Sequence, residues 1–237
     1  MTPATAGGTV AQGSHGEATR ERLRVLVVDD HRAVAEAIGM AIDLRSDMRC
    51  VGVASTIAEA RAVFLTGAPD VLLTDVRLPD GDGVEAARRF VEMNPELHIL
   101  VLTAYADVDV MARAASIGAC GILPKESSIS SVLTALRRAG EGEMTVEGSV
   151  LSALLNRVHP DHPGPAGPTV TLTDRESEVL RWLSQGLDPQ TIARRLGISV
   201  HTCRGHVKSI LAKLQAHSQL EAVVKAMRLG LVREGHG

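Results

Sequence analysis

From residue 23 onward, short apolar runs alternate with stretches of helical period. Residues 23–28, 48–54, 71–73, 99–102 and 121–123 are strand-length and mostly apolar. A run that is apolar at nearly every position suits a strand buried on both faces. Between the runs, Val34, Ile38 and Ile42 share one helical face, as do Ile129, Val132, Leu133 and Leu136. Five strands alternating with helices predict an α/β fold, a parallel sheet covered on both sides. Residues 1–22 are rich in Gly, Ala and Thr with no hydrophobic period, and predict a disordered arm.

The rhythm breaks after residue 142. Val150, Leu151, Leu154, Leu155 and Val158 could form one short helix, and residues 159–168 then hold four prolines and two glycines. Residues 143–169 are therefore expected to be a linker between a first domain over 23–142 and a second over 170–237. The second domain reads as all-α. Thr173 and Glu176 have capping-box spacing ahead of Val179, Leu180 and Leu183. Asp188-Pro189 reads as an N-cap followed by proline in the first turn, and Gly197 as a helix end. Ser199 caps the next helix, whose inner stripe is Cys203, Val207, Ile210, Leu211 and Leu214. Ser218 and Glu221 repeat the capping-box spacing before Leu220, Val223, Val224 and Met227.

Charge divides along the same boundary. Residues 23–142 carry 12 Lys and Arg against 17 Asp and Glu, a net of −5; residues 169–237 carry 10 against 6, a net of +4. The second domain is thus the one suited to a polyanion. No apolar run approaches the length of a membrane span, and no basic start leads into an apolar core, so a soluble cytoplasmic protein without a membrane partner is expected. Cys50, Cys120 and Cys203 are too far apart, and odd in number, for a disulfide framework or a zinc site.

In an open parallel sheet, chemistry gathers at the carboxyl ends of the strands. Asp29 and Asp30 end the first run, Asp75 follows the third, Thr103 the fourth and Lys125 the fifth. Taken singly, each has an ordinary structural use as a turn, cap, strand or surface residue. Together they place three carboxylates, a hydroxyl and an ammonium in one region. Clustered carboxylates need a cation, and oxygen ligands with room for water suit Mg²⁺. One carboxylate can then serve as nucleophile toward phosphorus, with metal, lysine and hydroxyl neutralising the phosphoryl oxygens.

Four segments carry a specific likeness. They are residues 25–31 (VLVVDDH), 73–83 (LTDVRLPDGDG), 102–104 (LTA) and 123–125 (LPK). They resemble the signature blocks of response-regulator receivers over about residues 23–142. The resemblance implies a flavodoxin-like, doubly wound, five-stranded parallel domain. It implies Asp75 as phosphoacceptor, Thr103 and Lys125 as phosphoryl contacts, and Asp29, Asp30, Asp75 and the carbonyl of Arg77 as Mg²⁺ ligands. A sensor histidine kinase would be the phosphodonor. One departure stands out: the position three before the lysine, often aromatic in receivers, is Ile122. Tyr105 is a candidate substitute, though an ordinary loop role suits it better.

Residues 188–197 and 199–214 predict two helices joined by a tight turn, with the second as the reader of a DNA major groove. Removing its apolar stripe leaves His201, Arg204, Gly205 and Lys208 facing outward, with Thr202, His206, Ser209 and Lys213 on a flanking face suited to phosphates. Residues 172–180, 192–199 and 202–214 resemble the LuxR-type helix-turn-helix. Receiver plus this module is the NarL/FixJ architecture, which implies transcription control, RNA polymerase as a partner, and a homodimer formed on phosphorylation or DNA binding through the last helix, 218–229. Beyond phosphotransfer to itself, no enzymatic activity and no organic cofactor are expected. Three alternatives stay open. A haloacid-dehalogenase-like phosphatase would need an acid where Arg77 stands. A LuxR-type small-molecule receptor would need an aromatic-lined pocket, and the chain has one Trp, one Tyr and two Phe. A phosphorylation-independent LuxR-type factor with a vestigial receiver would accommodate Ile122.

Overall fold

The computed structural model describes residues 22–104, 108–146 and 170–232. The N-terminal arm, the short helix expected within 150–158, the Pro-rich stretch and Tyr105 lie outside the described residues. In the first unit, β1 (Leu23–Val28), β2 (Met48–Ala54), β3 (Val71–Asp75), β6 (His98–Thr103) and β7 (Gly121–Pro124) form one parallel sheet. Its order is β2-β1-β3-β6-β7. The direction of strand addition reverses between β1 and β3, which leaves a crevice at their carboxyl ends.

Alternation along each strand builds two cores. Leu26, Val28, Leu72, Ile99, Val101 and Ile122 face one layer of helices, and Val25, Val27, Val71, Leu73, Leu100, Leu102 and Leu123 face the other. The first layer is α2 (Ile57–Gly67), α3 (Gly83–Met93) and α4 (Val108–Ser116); the second is α1 (Arg32–Asp43) and α5 (Ile129–Gly140). The doubly wound fold expected from the sequence is the one observed. Two expected core positions are not buried. Val34 is 42% exposed and Ile129 is 44% exposed. The buried stripe of α1 is Ala35, Ile38, Gly39 and Ile42, one position round from Val34. Ile129 is the first residue of α5, at its exposed rim, and the buried stripe starts at Val132.

A small hairpin went unseen in the sequence. β4 (Arg77–Leu78) pairs antiparallel with β5 (Gly81–Asp82). It explains two acids of the signature block as structural. The Asp80 carboxylate accepts from the backbone of Ile57 and Ala58 at the start of α2, at 2.8 and 3.0 Å. Asp82 caps α3 by accepting from Glu85 N.

Among the described residues, the second unit has four helices: α6 (Asp174–Leu183), α7 (Pro189–Leu196), α8 (Val200–Leu214) and α9 (Gln219–Arg228). Thr173 and Glu176 make the full reciprocal capping box, Asp188 caps α7 ahead of Pro189, Gly197 closes it at φ +63°, and Ser199 caps α8. Ser218 caps α9 as expected, but the Glu221 carboxylate reaches His217 N (2.7 Å) and Lys225 (2.7 Å). The two units touch directly. Leu220, Val223, Val224 and Met227 of α9 belong to the same apolar core as Val110, Met111, Ala114 and Ala115 of α4.

Candidate phosphoacceptor site and nucleic-acid interface

Four strand ends bring the expected polar residues together. Asp29, one residue past β1, has no exposed surface, and Asp75 at the end of β3 and Thr103 at the end of β6 are buried. Lys125 follows β7, and its amide donates to Thr103 O (2.9 Å), which pins the β7 end to the β6 end. Its ammonium lies 2.6 Å from Asp75 Oδ2, 2.9 Å from Asp29 Oδ1 and 3.9 Å from Asp30 Oδ1. Burial works against the Lys125 charge, but the carboxylates of Asp75 and Asp29 outweigh it and raise its pKa above that of an ordinary lysine. The arrangement therefore holds three carboxylates against one ammonium.

Two features of the site were not read from the sequence. The His31 amide donates to Asp29 Oδ1 (2.8 Å), and the His31 ring Nδ1 lies 2.8 Å from Asp30 Oδ1 and 3.3 Å from Lys125 Nζ. Gly83 opens α3 against Asp75: a Cβ there would stand 1.8 Å from Asp75 O. Only glycine allows that approach, and Gly83 N donates back to Val76 O (2.8 Å). A glycine at a helix start beside an acidic block was the available signal.

Asp29 Oδ2 is buried and has no hydrogen-bond partner among the described residues. A buried carboxylate oxygen left unpaired is costly, and a cation would satisfy it. One ligand atom each from Asp29, Asp30, His31 and Asp75 lies within 4.8 Å of the others. The donor set is dominated by carboxylate oxygen, beside solvent, and so fits Mg²⁺. Arg77 stands exposed in the hairpin two residues beyond Asp75.

In the helical unit, α7 and α8 form the expected helix-turn-helix. His201, Thr202, Arg204, Gly205, Lys208 and Lys213 are exposed on α8, and His206 is half-buried. A Cβ on Gly205 would meet nothing within 4 Å, so packing within the chain does not demand glycine there. Cys203 is fully buried, and burial pushes its thiol pKa up, which suits a core residue. The flanking face is partly committed elsewhere. Lys213 Nζ and Ser209 Oγ both donate to the buried Glu176 carboxylate, at 2.7 and 2.6 Å. Burial alone would raise the Glu176 pKa, but Lys213, Ser209 and Thr173 together bring it down to about 2. Glu176 thus holds α8 against α6.

Arg204 is not free in this conformation. Its guanidinium bonds Glu141 and, at 2.9 Å, Glu143, both just beyond α5. Met144 N donates to the buried side chain of Gln219 on α9 (3.1 Å). The central residue of the outward face of α8 is therefore turned toward the acidic unit, and the apolar face of α9 is covered by α4. Among the described residues, no helix is long and apolar enough to cross a membrane.

Comparison with known proteins agrees with both halves of the geometry. Residues 25–137 match the response regulator receiver domain, and residues 170–226 match the family described as bacterial regulatory proteins, luxR family. The chain is 32% identical to the DNA-binding transcriptional activator DevR/DosR of Mycobacterium tuberculosis over 210 residues, covering 87% of this chain and 95% of that protein. It is also 32% identical to the transcriptional regulatory protein LiaR of Bacillus subtilis over 211 residues, covering 89% and 99%. Among solved structures, a LuxR-family two-component response regulator from Aurantimonas sp. SI85-9A1 superposes with a TM-score of 0.54 at 25% identity, over 58% of this chain and 99% of that one. RcsB from Salmonella enterica serovar Typhimurium, bound to promoter DNA, shares the fold with a TM-score of 0.51 at 24% identity, over 88% of this chain and 100% of that one. The chain belongs to the two-component response regulators of the NarL/LuxR family, with a receiver domain followed by a LuxR-type DNA-binding domain.

Proposed function

We propose that Asp75 accepts a phosphoryl group from a sensor histidine kinase in a Mg²⁺-dependent reaction, and that this controls binding of α8 to the major groove. The observation that carries the first part is the buried cluster of Asp29, Asp75 and Lys125, with Asp29 Oδ2 left unpaired. Asp29, Asp30, Asp75 and the carbonyl of Arg77 would hold Mg²⁺, which when bound neutralises charge on the phosphoryl oxygens. An oxygen of Asp75 forms the new bond to phosphorus while the bond to the donor's imidazole nitrogen breaks. Lys125, now ion-paired with Asp75, is placed to follow the added charge, and Thr103 offers a hydroxyl to a second phosphoryl oxygen.

His201, Arg204, Gly205 and Lys208 would meet base edges, with Thr202, His206 and Lys213 toward phosphates. Lys213 would do so while still tethered to Glu176, which orients it. Arg204 bound to Glu141 and Glu143 cannot read a base, so the present arrangement is a closed state. Phosphorylation would open it, expose α9 for pairing with a second copy, and bring RNA polymerase to a promoter in the cytoplasm. Acetyl phosphate with Mg²⁺ should add one hydroxylamine-labile phosphoryl group, and Asp75→Asn should prevent it. Equal labelling of that variant would overturn the assignment.

A further inference from the structure

We infer that residues 143–146 act as a latch, a bridge on the sheet edge that ties the β7 end of the phosphoacceptor site to the DNA-binding domain. This rests on the closed-state reading above and names the element that would transmit the signal. β7 is an edge strand of the sheet, and an edge offers unpaired backbone donors and acceptors. Here the chain folds back to use them. Thr145 N donates to Cys120 O (2.9 Å), Ile122 N donates to Thr145 O (3.1 Å), and Thr145 lies parallel to Gly121. The approach is close: a Cβ at Gly121 would stand 2.0 Å from Thr145 O. Glycine at 121 is thus a requirement of the latch, independent of any turn.

Two residues of the same segment grip the second domain. Glu143 holds Arg204, the central reader of α8, and Met144 N holds Gln219 of α9. Arg138 of α5 bonds Met144 O (2.8 Å) and keeps the segment in register. At the other end, β7 runs straight into Lys125, whose ammonium sits on Asp75 and Asp29. A phosphoryl group on Asp75 must draw Lys125 and Thr103 to new oxygens, and Lys125 N is bonded to Thr103 O, so both strand ends move together. The bridge at Thr145 is the most lightly held pairing on that strand, a single bridge against the four-residue register of β6 with β7. It is the contact that shear of β7 breaks first. Ile122 sits at the position where receivers often carry an aromatic residue. Its side chain is buried and its amide is one of the two latch donors. Signal transmission here runs through the backbone of residue 122, with no ring to swing.

The test uses the full chain, with and without Mg²⁺ and beryllofluoride as phosphoryl mimic. The probe is a duplex selected from random sequence. The mimic should speed hydrogen exchange at the amides of Thr145 and Ile122 by about tenfold or more, the scale of a closed state losing its dominance. Gly121→Ala, which pushes the segment off from the receiver side, should tighten DNA binding without the mimic. Thr145→Pro, which deletes the donor to Cys120 O from the linker side, should do the same and covers the case in which Gly121→Ala fails to fold. If the mimic tightens DNA binding in the natural chain while both amides stay protected, the latch is wrong and the closed state stands. The latch is equally wrong if neither variant tightens binding but Glu141→Gln/Glu143→Gln does. If none of the three changes it, the closed-state reading fails, and the latch with it.

Discussion

Removing the two carboxylates that hold Arg204 measures the closed state directly. In Glu141→Gln/Glu143→Gln the side chains keep their size and can still accept a hydrogen bond, but the ion pairs are lost. Arg204 and Glu141 are each about half exposed, so that pair is worth roughly 0.2–1 kcal/mol. The Glu143 side chain is only 11% exposed, and its charge-assisted bond to Arg204 is worth more, about 1 kcal/mol after the retained neutral bond is discounted. The sum is about 1–2 kcal/mol in favour of the closed state. The apparent Kd for DNA is the intrinsic value divided by the open fraction, so the unphosphorylated variant should bind about 5–30-fold more tightly. Anisotropy of a labelled duplex reads this. Glu92→Gln/Glu96→Gln is the control, because it removes the same charge from two exposed positions away from Arg204. The ratio of the two affinities should shrink as salt rises, since the clamp is screened while counterion release from DNA is common to both variants. A ratio near one at low salt, or one indifferent to salt, would refute the closed-state reasoning.

Three further outcomes are expected. Arg204→Ala should weaken binding of the phosphorylated protein by roughly 1–3 kcal/mol and relax specificity at one base position, as site selection would show; unchanged selectivity would move base reading elsewhere on α8. Glu176 has its folded pKa lowered to about 2 from an ordinary 4.5, so its contribution to stability is complete above the unfolded value and is lost as pH falls from about 4.5 through about 2. Melting curves of Glu176→Gln and the natural chain should therefore differ at neutral pH and converge in that acid window; a constant offset across it would show that the charge of Glu176 is not what holds α8. Mg²⁺ at about a hundred times its Kd should stabilise the chain by roughly 2.7 kcal/mol, and Asp29→Ala should lose that response, read as a melting shift free of any phosphodonor.

The sheet was legible because its inner strands β1, β3 and β6 are buried along most of their length and so read as mostly apolar runs, and because Asp29, Asp75, Thr103 and Lys125 each end or follow a strand. The caps were legible because Thr173, Asp188, Ser199 and Ser218 act on amides three residues away. What was hidden depends on partners remote in sequence. Helix α2 buries only Ala60 and Phe64, too sparse a stripe to announce a period. Lys213 looks like any exposed cation until Glu176, 37 residues earlier, is found beneath it. Residues 143–146 carry no strand pattern, since the pairing at Thr145 is made by backbone alone. Ser218 and Glu221 kept the spacing of a capping box, but Glu221 had nearer claims from His217 and Lys225.

The apolar contact of α4 with α9 has a consequence for how the molecule melts. Met111 and Ala114 share their core with Leu220 and Val223, so in the closed form neither domain can unfold without stripping cover from the other. Heat should therefore take the unphosphorylated protein apart in one cooperative transition, with calorimetric and van't Hoff enthalpies equal. Once the domains part, each has only its own core to defend, and the small four-helix unit, with the larger share of its surface exposed, should give way first. A scanning calorimeter would then see one endotherm become two as the acyl phosphate forms, with the sole tryptophan, Trp182, stacked by Arg181 and Arg195 in α6 and α7, reporting the earlier of them.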